Sequence, residues 1–277
     1  AKGLETSFGS RIYAGTIANE DDLPIARIRA QGAIFIGKTN VPEFGLGSHS
    51  YNLVHGTTKN AYNPKLTAGG SSGGAASGLA THMLPTADGS DMMGSLRNPA
   101  AFNNVIGFRP SQGRVPHVPS DDLYYNQLPV EGPMGRNVED TIRLLGTMAG
   151  YDSRAPVSLR DEIPAYHEFR KADFAGFSIG WMGDYEGYLA TERGLLDLCE
   201  RSLQEISEHG AIVEKCIPAY DIARLWQTWL TLRHWALSSL KGLYDDQDKR
   251  ELLKPELIWE IKGSIGMSAS RVAEAAV

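Results

Sequence analysis

Serine and glycine crowd into two short runs, Gly69-Gly70-Ser71-Ser72-Gly73-Gly74 and Gly89-Ser90-Asp91-Met92-Met93-Gly94-Ser95-Leu96-Arg97. A serine hydroxyl becomes a nucleophile for acyl transfer once a neighbouring base takes its proton. Backbone N–H groups exposed in such a turn can then stabilise the oxyanion that forms. The first run fits G-x-S-x-G in two registers, on Ser71 or on Ser72. A nucleophile elbow, however, needs a hydrophobic strand just before it, and residues 62–67 read as loop. A P-loop is excluded because no Gly-Lys-Ser/Thr follows. His49, His55 and His117 lie in loops, where a hydrogen-bonded or solvated histidine is the default reading over a Ser-His catalyst. Ser238-Ser239-Leu240-Lys241 matches S-x-x-K but sits inside an amphipathic helix without the companion motifs. Cys199 reads as core packing on its helix, and nothing around Cys216 marks it as a nucleophile.

The elements around these runs alternate in the manner of an α/β protein. Acids and Pro24 open a helix after residue 20, Gly32 ends it, and Ala33-Ile34-Phe35-Ile36 follows as a short buried strand. Residues 40–70 show no apolar period and read as a long ordered loop, a place where function concentrates. From Ser72 to His82 nearly every residue is Gly, Ala or Ser, which suits a helix packed closely on a sheet. Residues 96–108 suggest short strands and turns. Residues 139–148 form an amphipathic helix with Thr141, Leu144, Leu145 and Met148 at helical spacing. Strands are expected at 177–181 and 211–213, flanking a helix over 192–209 with Leu195, Leu198, Cys199 and Ile206 inward. After residue 217 strand signals vanish. Leu225, Trp229, Leu232, Ala236, Leu240 and Leu243 make a helical stripe, Pro255 restarts a helix, and Ser268 caps a last one. Trp226, Trp229 and Trp235 read first as core or contact residues, and more sharply as walls of an aromatic acyl pocket.

Five blocks in order resemble the amidase signature family, the Ser-cisSer-Lys hydrolases. They are residues 37–44 (GKTNVPEF), 69–77, 89–99, 107–114 (GFRPSQGR) and 132–140 (GPMGRNVED), within a resemblance that is dense over residues 1 to about 150. The resemblance implies Ser95 as nucleophile and Ser71, 24 residues earlier, as the bridging serine after a cis peptide bond. It implies an oxyanion hole from the N–H groups of Met92, Met93, Gly94 and Ser95, with Ser72, Asp91 and Arg97 in support. Met92-Met93 stands where the family more often has Thr-Gly or a similarly small pair, so a reshaped acyl pocket is expected. The family's catalytic lysine lies in a strand shortly before the segment matching residues 2–10, which places it upstream of Ala1. Lys2 and Lys38 match other family positions. The implied fold is α/β, an α/β/α sandwich around a mixed sheet. Residues 1–217 are expected to form the signature core, without its N-terminal part, and 218–277 a helical segment of the same domain, with the C-terminal remainder absent. The implied activity is hydrolysis of a linear carboxamide through an acyl-enzyme on Ser95, with no cofactor or metal. The alternatives are the glutaminase component of a tRNA-dependent amidotransferase and a non-catalytic ligand-binding or scaffold member of the fold.

Composition narrows the partners. The 277 residues carry 27 Lys+Arg against 33 Asp+Glu, a net charge of −6, which disfavours a nucleic-acid partner that neutralises phosphates with a basic face. No run of about 18 apolar residues is present, so a membrane span is not expected. Two cysteines cannot build a disulfide scaffold and point to reduced thiols in the cytoplasm. The expected partner is a small-molecule amide, with a homodimer left open. Glycine is frequent, 30 residues, and much of the excess lies between Gly69 and Gly94, where backbone must approach something closely.

Overall fold

The computed structural model describes every residue except 121, 123–126 and 170–172. Pro24 stands in the first turn of α1 (Leu23–Ala30), where its missing N–H forfeits no helical bond, and Ile28 is buried. The expected long loop holds a 3₁₀ turn (Glu43–Gly45) and one antiparallel pair, β1 (Tyr51–Asn52) with β2 (Gly56–Thr57). Then follow α2 (Gly73–Ala80), β3 (Thr86–Asp91), α3 (Arg97–Phe102), β4 (Ile106–Gly107), β5 (Val130–Gly135) and α4 (Val138–Met148). A short α5 (Tyr166–Phe169) precedes β6 (Ser178–Trp181), α6 (Leu195–Glu208) and β7 (Ile212–Lys215). The helical end of the chain comprises α7 (Ile222–Ala236), α8 (Lys241–Asp245), α9 (Gln247–Arg250), α10 (Pro255–Ser264) and α11 (Ala269–Ala275). Ser268 caps α11 by accepting from Arg271 N–H. Contacts divide the chain into two units, one of Ala1–Tyr166 with Trp229–Val277 and one of His167–Thr228.

In the larger unit β3, β5 and β4 form an antiparallel sheet in that order. One face carries Met134, packed with Ala75, Ala76 and Leu79 of α2, Ala100 of α3, and Leu96. On the other face a Cβ at Gly135 would lie 2.6 Å from Thr141 Oγ1 of α4, so the helix sits directly on the strand. Helices thus cover both faces, the layering of an α/β/α sandwich. Behind α4, Leu145 and Met148 join Ile28 and Val115 in a second cluster. A third brings Leu46 of the long loop against Leu237, Leu253, Leu257 and Ile261. In the smaller unit β6 and β7 pair in parallel, at the two places where strands are expected.

Three local expectations are corrected. Residues 33–36 are extended but pair with no described strand, and Ile34 and Ile36 are 88% and 71% exposed. An apolar run reads as a buried strand only if neighbours exist on both sides, and those neighbours are not supplied by the described residues. Residues 97–102 form α3 rather than strand, because Gly94 and Leu96 carbonyls start a helical ladder that the Asn residues tolerate. In α6, Leu195 and Leu198 face outward, while Cys199, Leu203 and Ile206 are half-buried.

Candidate active site

The turn after β3 and the turn before α2 are brought side by side. Ser72 N–H donates to the Ser95 carbonyl at 3.2 Å, tying the two serine-bearing segments together. Ser71 and Ser72 are buried, at 3% and 4% exposure, while Ser95 is half-buried. The bond between Gly70 and Ser71 is cis. The glycines allow the close approach: a Cβ on Gly70 would fall 2.7 Å from His49 N, and one on Gly89 2.5 Å from Ser72 Oγ. A Cβ on Gly45 would stand 3.9 Å from Ser71 Oγ, so that hydroxyl looks toward the 3₁₀ turn of the long loop.

Asp91, wholly buried at the end of β3, organises the turn that bears Ser95. It accepts from Gly94 N–H at 2.7 Å and Leu96 N–H at 3.2 Å, and from the Arg97 guanidinium at 2.9 and 3.0 Å. Arg109 approaches it at 3.5 Å. Burial pushes the Asp91 carboxyl up, but the Arg97 hydrogen bonds and the two turn N–H groups outweigh it and hold the carboxyl below the usual carboxylate range. Leu96, fully buried beside Met134, anchors the far side of the turn.

This arrangement divides the four backbone donors expected at an oxyanion hole. The Gly94 N–H is spent on Asp91. Those of Met92, Met93 and Ser95 donate to no acceptor among the described residues. Gly94 contributes instead its backbone, at φ 100°, a conformation costly for residues with a Cβ. Met93 is 53% exposed, whereas the Met92 sulfur turns inward, 3.7 Å from Arg233 Nη1 on α7. Arg233 is itself ion-paired with buried Glu260 of α10 at 2.5 Å.

Sequence reasoning missed Ser50. Its buried hydroxyl donates to the Ser71 carbonyl and accepts from Gly73 N–H, both at 2.9 Å, which fixes the backbone on either side of Ser72. The only signal was its place in a loop of unusual length. The loop histidines hold local partners: His49 meets Thr67 Oγ1 and His55 meets Ser7 Oγ, both at 3.0 Å, and His117 lies 3.5 Å from Glu131. Ser238 and Ser239 fall in the 3₁₀ turn after α7. Of the three tryptophans, Trp226 is exposed, Trp229 lies under the Arg233 guanidinium, and Trp235 lines a cavity beside β5. Among the described residues no three of His, Cys, Asp and Glu gather as a metal site would require, and no helix is long and apolar enough to cross a membrane.

The Amidase family model matches residues 1–264, so the motif blocks and the helices behind them fall in one continuous match. The chain belongs to the Amidase family. A glutamyl-tRNA(Gln) amidotransferase component from Pseudomonas putida (strain F1) is 35% identical over 228 residues, covering 79% of this chain and 47% of that protein. Its counterpart in Pseudomonas fluorescens (strain Pf0-1) is 34% identical over 229 residues, covering 80% and 47%. The chain spans about half the length of the curated relatives it matches. Among solved structures, a bacterial aryl acylamidase of the amidase signature enzymes superposes with a TM-score of 0.90 at 25% identity, over 99% of this chain and 58% of that one. A peptide amidase bound to the inhibitor chymostatin shares the fold, with a TM-score of 0.80 at 23% identity, over 99% and 61%.

Proposed function

We propose that this Amidase-family chain carries the nucleophile half of an amide-hydrolysing site, with Ser95 attacking the carbonyl carbon of a linear carboxamide. The observation that carries the reading is the pairing of the Ser71 and Ser95 segments across the Ser72–Ser95 backbone bond, beside three unspent N–H groups. Ser95 Oγ forms the C–O bond while its proton passes to Ser71 Oγ, and the Ser71 proton passes to a neutral lysine. The N–H groups of Met92, Met93 and Ser95 receive the oxyanion, the C–N bond breaks as the proton returns to the departing nitrogen, and water releases the acyl group. The lysine, on the family resemblance, is borne on a strand preceding Ala1. In support, β3 is an edge strand of its sheet, as β4 is, and Ile34 and Ile36 stand bare, apolar surface of the kind that a further strand would cover. A fluorophosphonate probe applied to a polypeptide extended upstream of Ala1, followed by mass spectrometry, tests the assignment: the adduct is expected on Ser95 and absent from Ser95→Ala. An adduct on a different serine overturns it.

A second reading, glutaminase action within an amidotransferase, is favoured by the 35% identity to the Pseudomonas putida amidotransferase sequence. In that case ammonia formed at Ser95 is passed to a partner complex. Ammonia release from a primary amide by the upstream-extended polypeptide, without any partner, separates the two, since a hydrolytic amidase needs no partner for turnover.

A further inference from the structure

A cavity of about 580 Å³ opens in the larger unit on the α4 side of the sheet, a size suited to a small organic ligand. Its floor is set by strand alternation. Ser90 on β3 pairs with Glu131 on β5, so the two side chains share one face, while Gly89 beside them turns toward Ser72 on the other. The cavity therefore lies across β3 from Ser72.

The titratable side chains of its described lining are mainly acidic, with His117 as its histidine. Glu131 and Asp122 are the acids in the lining, and neither lysine nor arginine is among the described lining residues. Gln112 adds a side-chain oxygen that is buried and finds no hydrogen-bond partner among the described residues. Val115, Pro116, Pro129 and Trp235 supply apolar wall. We propose that this cavity binds an organic primary ammonium ion carrying an apolar tail, with Glu131 and the Gln112 oxygen receiving the ammonium and Trp235 bordering it. Three observations meet there: a carboxylate side chain that is 26% exposed, an orphaned acceptor, and a wall against which a cation and its alkyl stem both pack favourably.

The surrounding charges give the binding a signature. Burial, with Asp88 and Asp22 adding repulsion, pushes the Glu131 carboxyl up to about 8. His117 Nδ1 is 3.5 Å from Glu131, and Lys38 acts on Asp88 and Asp22. A bound ammonium therefore competes with a proton for Glu131. From pH 7 to pH 9 the ionised fraction of Glu131 rises from about one tenth to nine tenths, so apparent affinity should rise about tenfold.

The test is calorimetric titration of the 277-residue chain with 4-phenylbutylamine and with its neutral isostere 4-phenylbutan-1-ol. The expected result is preference for the amine by about tenfold or more at pH 9, shrinking toward pH 7. Glu131→Gln, which keeps the side-chain volume, should abolish both the preference and the pH dependence. Ser95→Ala should leave binding unchanged, so the result stands apart from the amidase reading. Equal affinity for amine and alcohol, a flat pH profile in the unmodified protein, or full binding in Glu131→Gln overturns the proposal.

Discussion

Ser71 and Ser95 differ in their surroundings, and the difference fits the roles proposed for them. Ser95 is half-buried in a turn where the N–H groups of Met92, Met93 and Ser95 are unspent among the described residues, as a nucleophile that must meet substrate requires, whereas Ser71 is buried. Ser71→Ala removes the proposed proton relay and should slow acylation of Ser95 by about 10²-fold or more. Stopped-flow measurement of acyl-enzyme formation checks this, and near-normal turnover would reduce Ser71 to a structural role. Ser50→Ala acts one step further back. It strands the Ser71 carbonyl and the Gly73 N–H in a buried place, at a cost of about 1–3 kcal/mol. A lowered thermal midpoint with a smaller loss of rate than Ser71→Ala is expected, and an equal loss of rate would place Ser50 in the relay itself.

The element that decides the site is the turn joining β3 to α3, and Asp91 holds it. Its carboxylate ties two turn N–H groups and two guanidinium nitrogens, so the turn is closed from within and needs no packing from substrate. Because the folded carboxyl sits below its unfolded value near 3.9, its stabilisation is complete above about pH 4 and is lost as pH falls through the folded value. Asp91→Asn should cost about 1–3 kcal/mol at pH 7. Urea unfolding of the two proteins at pH 7 and pH 3 should show the gap narrowing on acidification. A gap that stays constant would mean that Asp91 stabilises by shape rather than charge. α7 and α10 reach the same turn from outside, through Arg233 and Met92, with Glu260 neutralising the arginine.

At the scale of the molecule, the three-stranded sheet of the larger unit is covered on its faces and, among the described residues, unpaired at its edges. β4 and β5 are covered by α3 and α4, whereas the outer edge of β3 and the bare Ile34 and Ile36 have no described strand partner. On the proposed mechanism the base arrives with a strand that covers this surface. Residues 1–277 alone should then hydrolyse amides barely or not at all. A polypeptide extended upstream of Ala1 should recover turnover, and replacing the first strand-borne lysine there should remove it again. Turnover by residues 1–277 at about 1–10³ s⁻¹, the usual range for enzymes, would overturn the Ser-cisSer-Lys reading for this protein.

Local chemistry carried much of the fold into the sequence. Pro24, Ser268 and the Gly-Ala-Ser run each state a helix boundary or a close packing in their own backbone requirements, and α1, α2, α4, α10 and α11 form where those signals stand. The pairing of the Ser71 and Ser95 segments was implied by the family resemblance that five motif blocks carry. Other features depend on what lies across space rather than along the chain. Residues 33–36 have the composition of a buried strand and lack the neighbours that would bury them. Gly94 has a donor like any other residue, and only the position of Asp91 spends it. Ser50 and Glu131 carry no motif; the first matters because Ser71 folds onto it, the second because strand register turns it into a cavity also lined by Gln112, whose amide oxygen has no partner among the described residues. Sequence determines what a backbone can do locally, and tertiary structure decides which donors, acceptors and charges are left over to act.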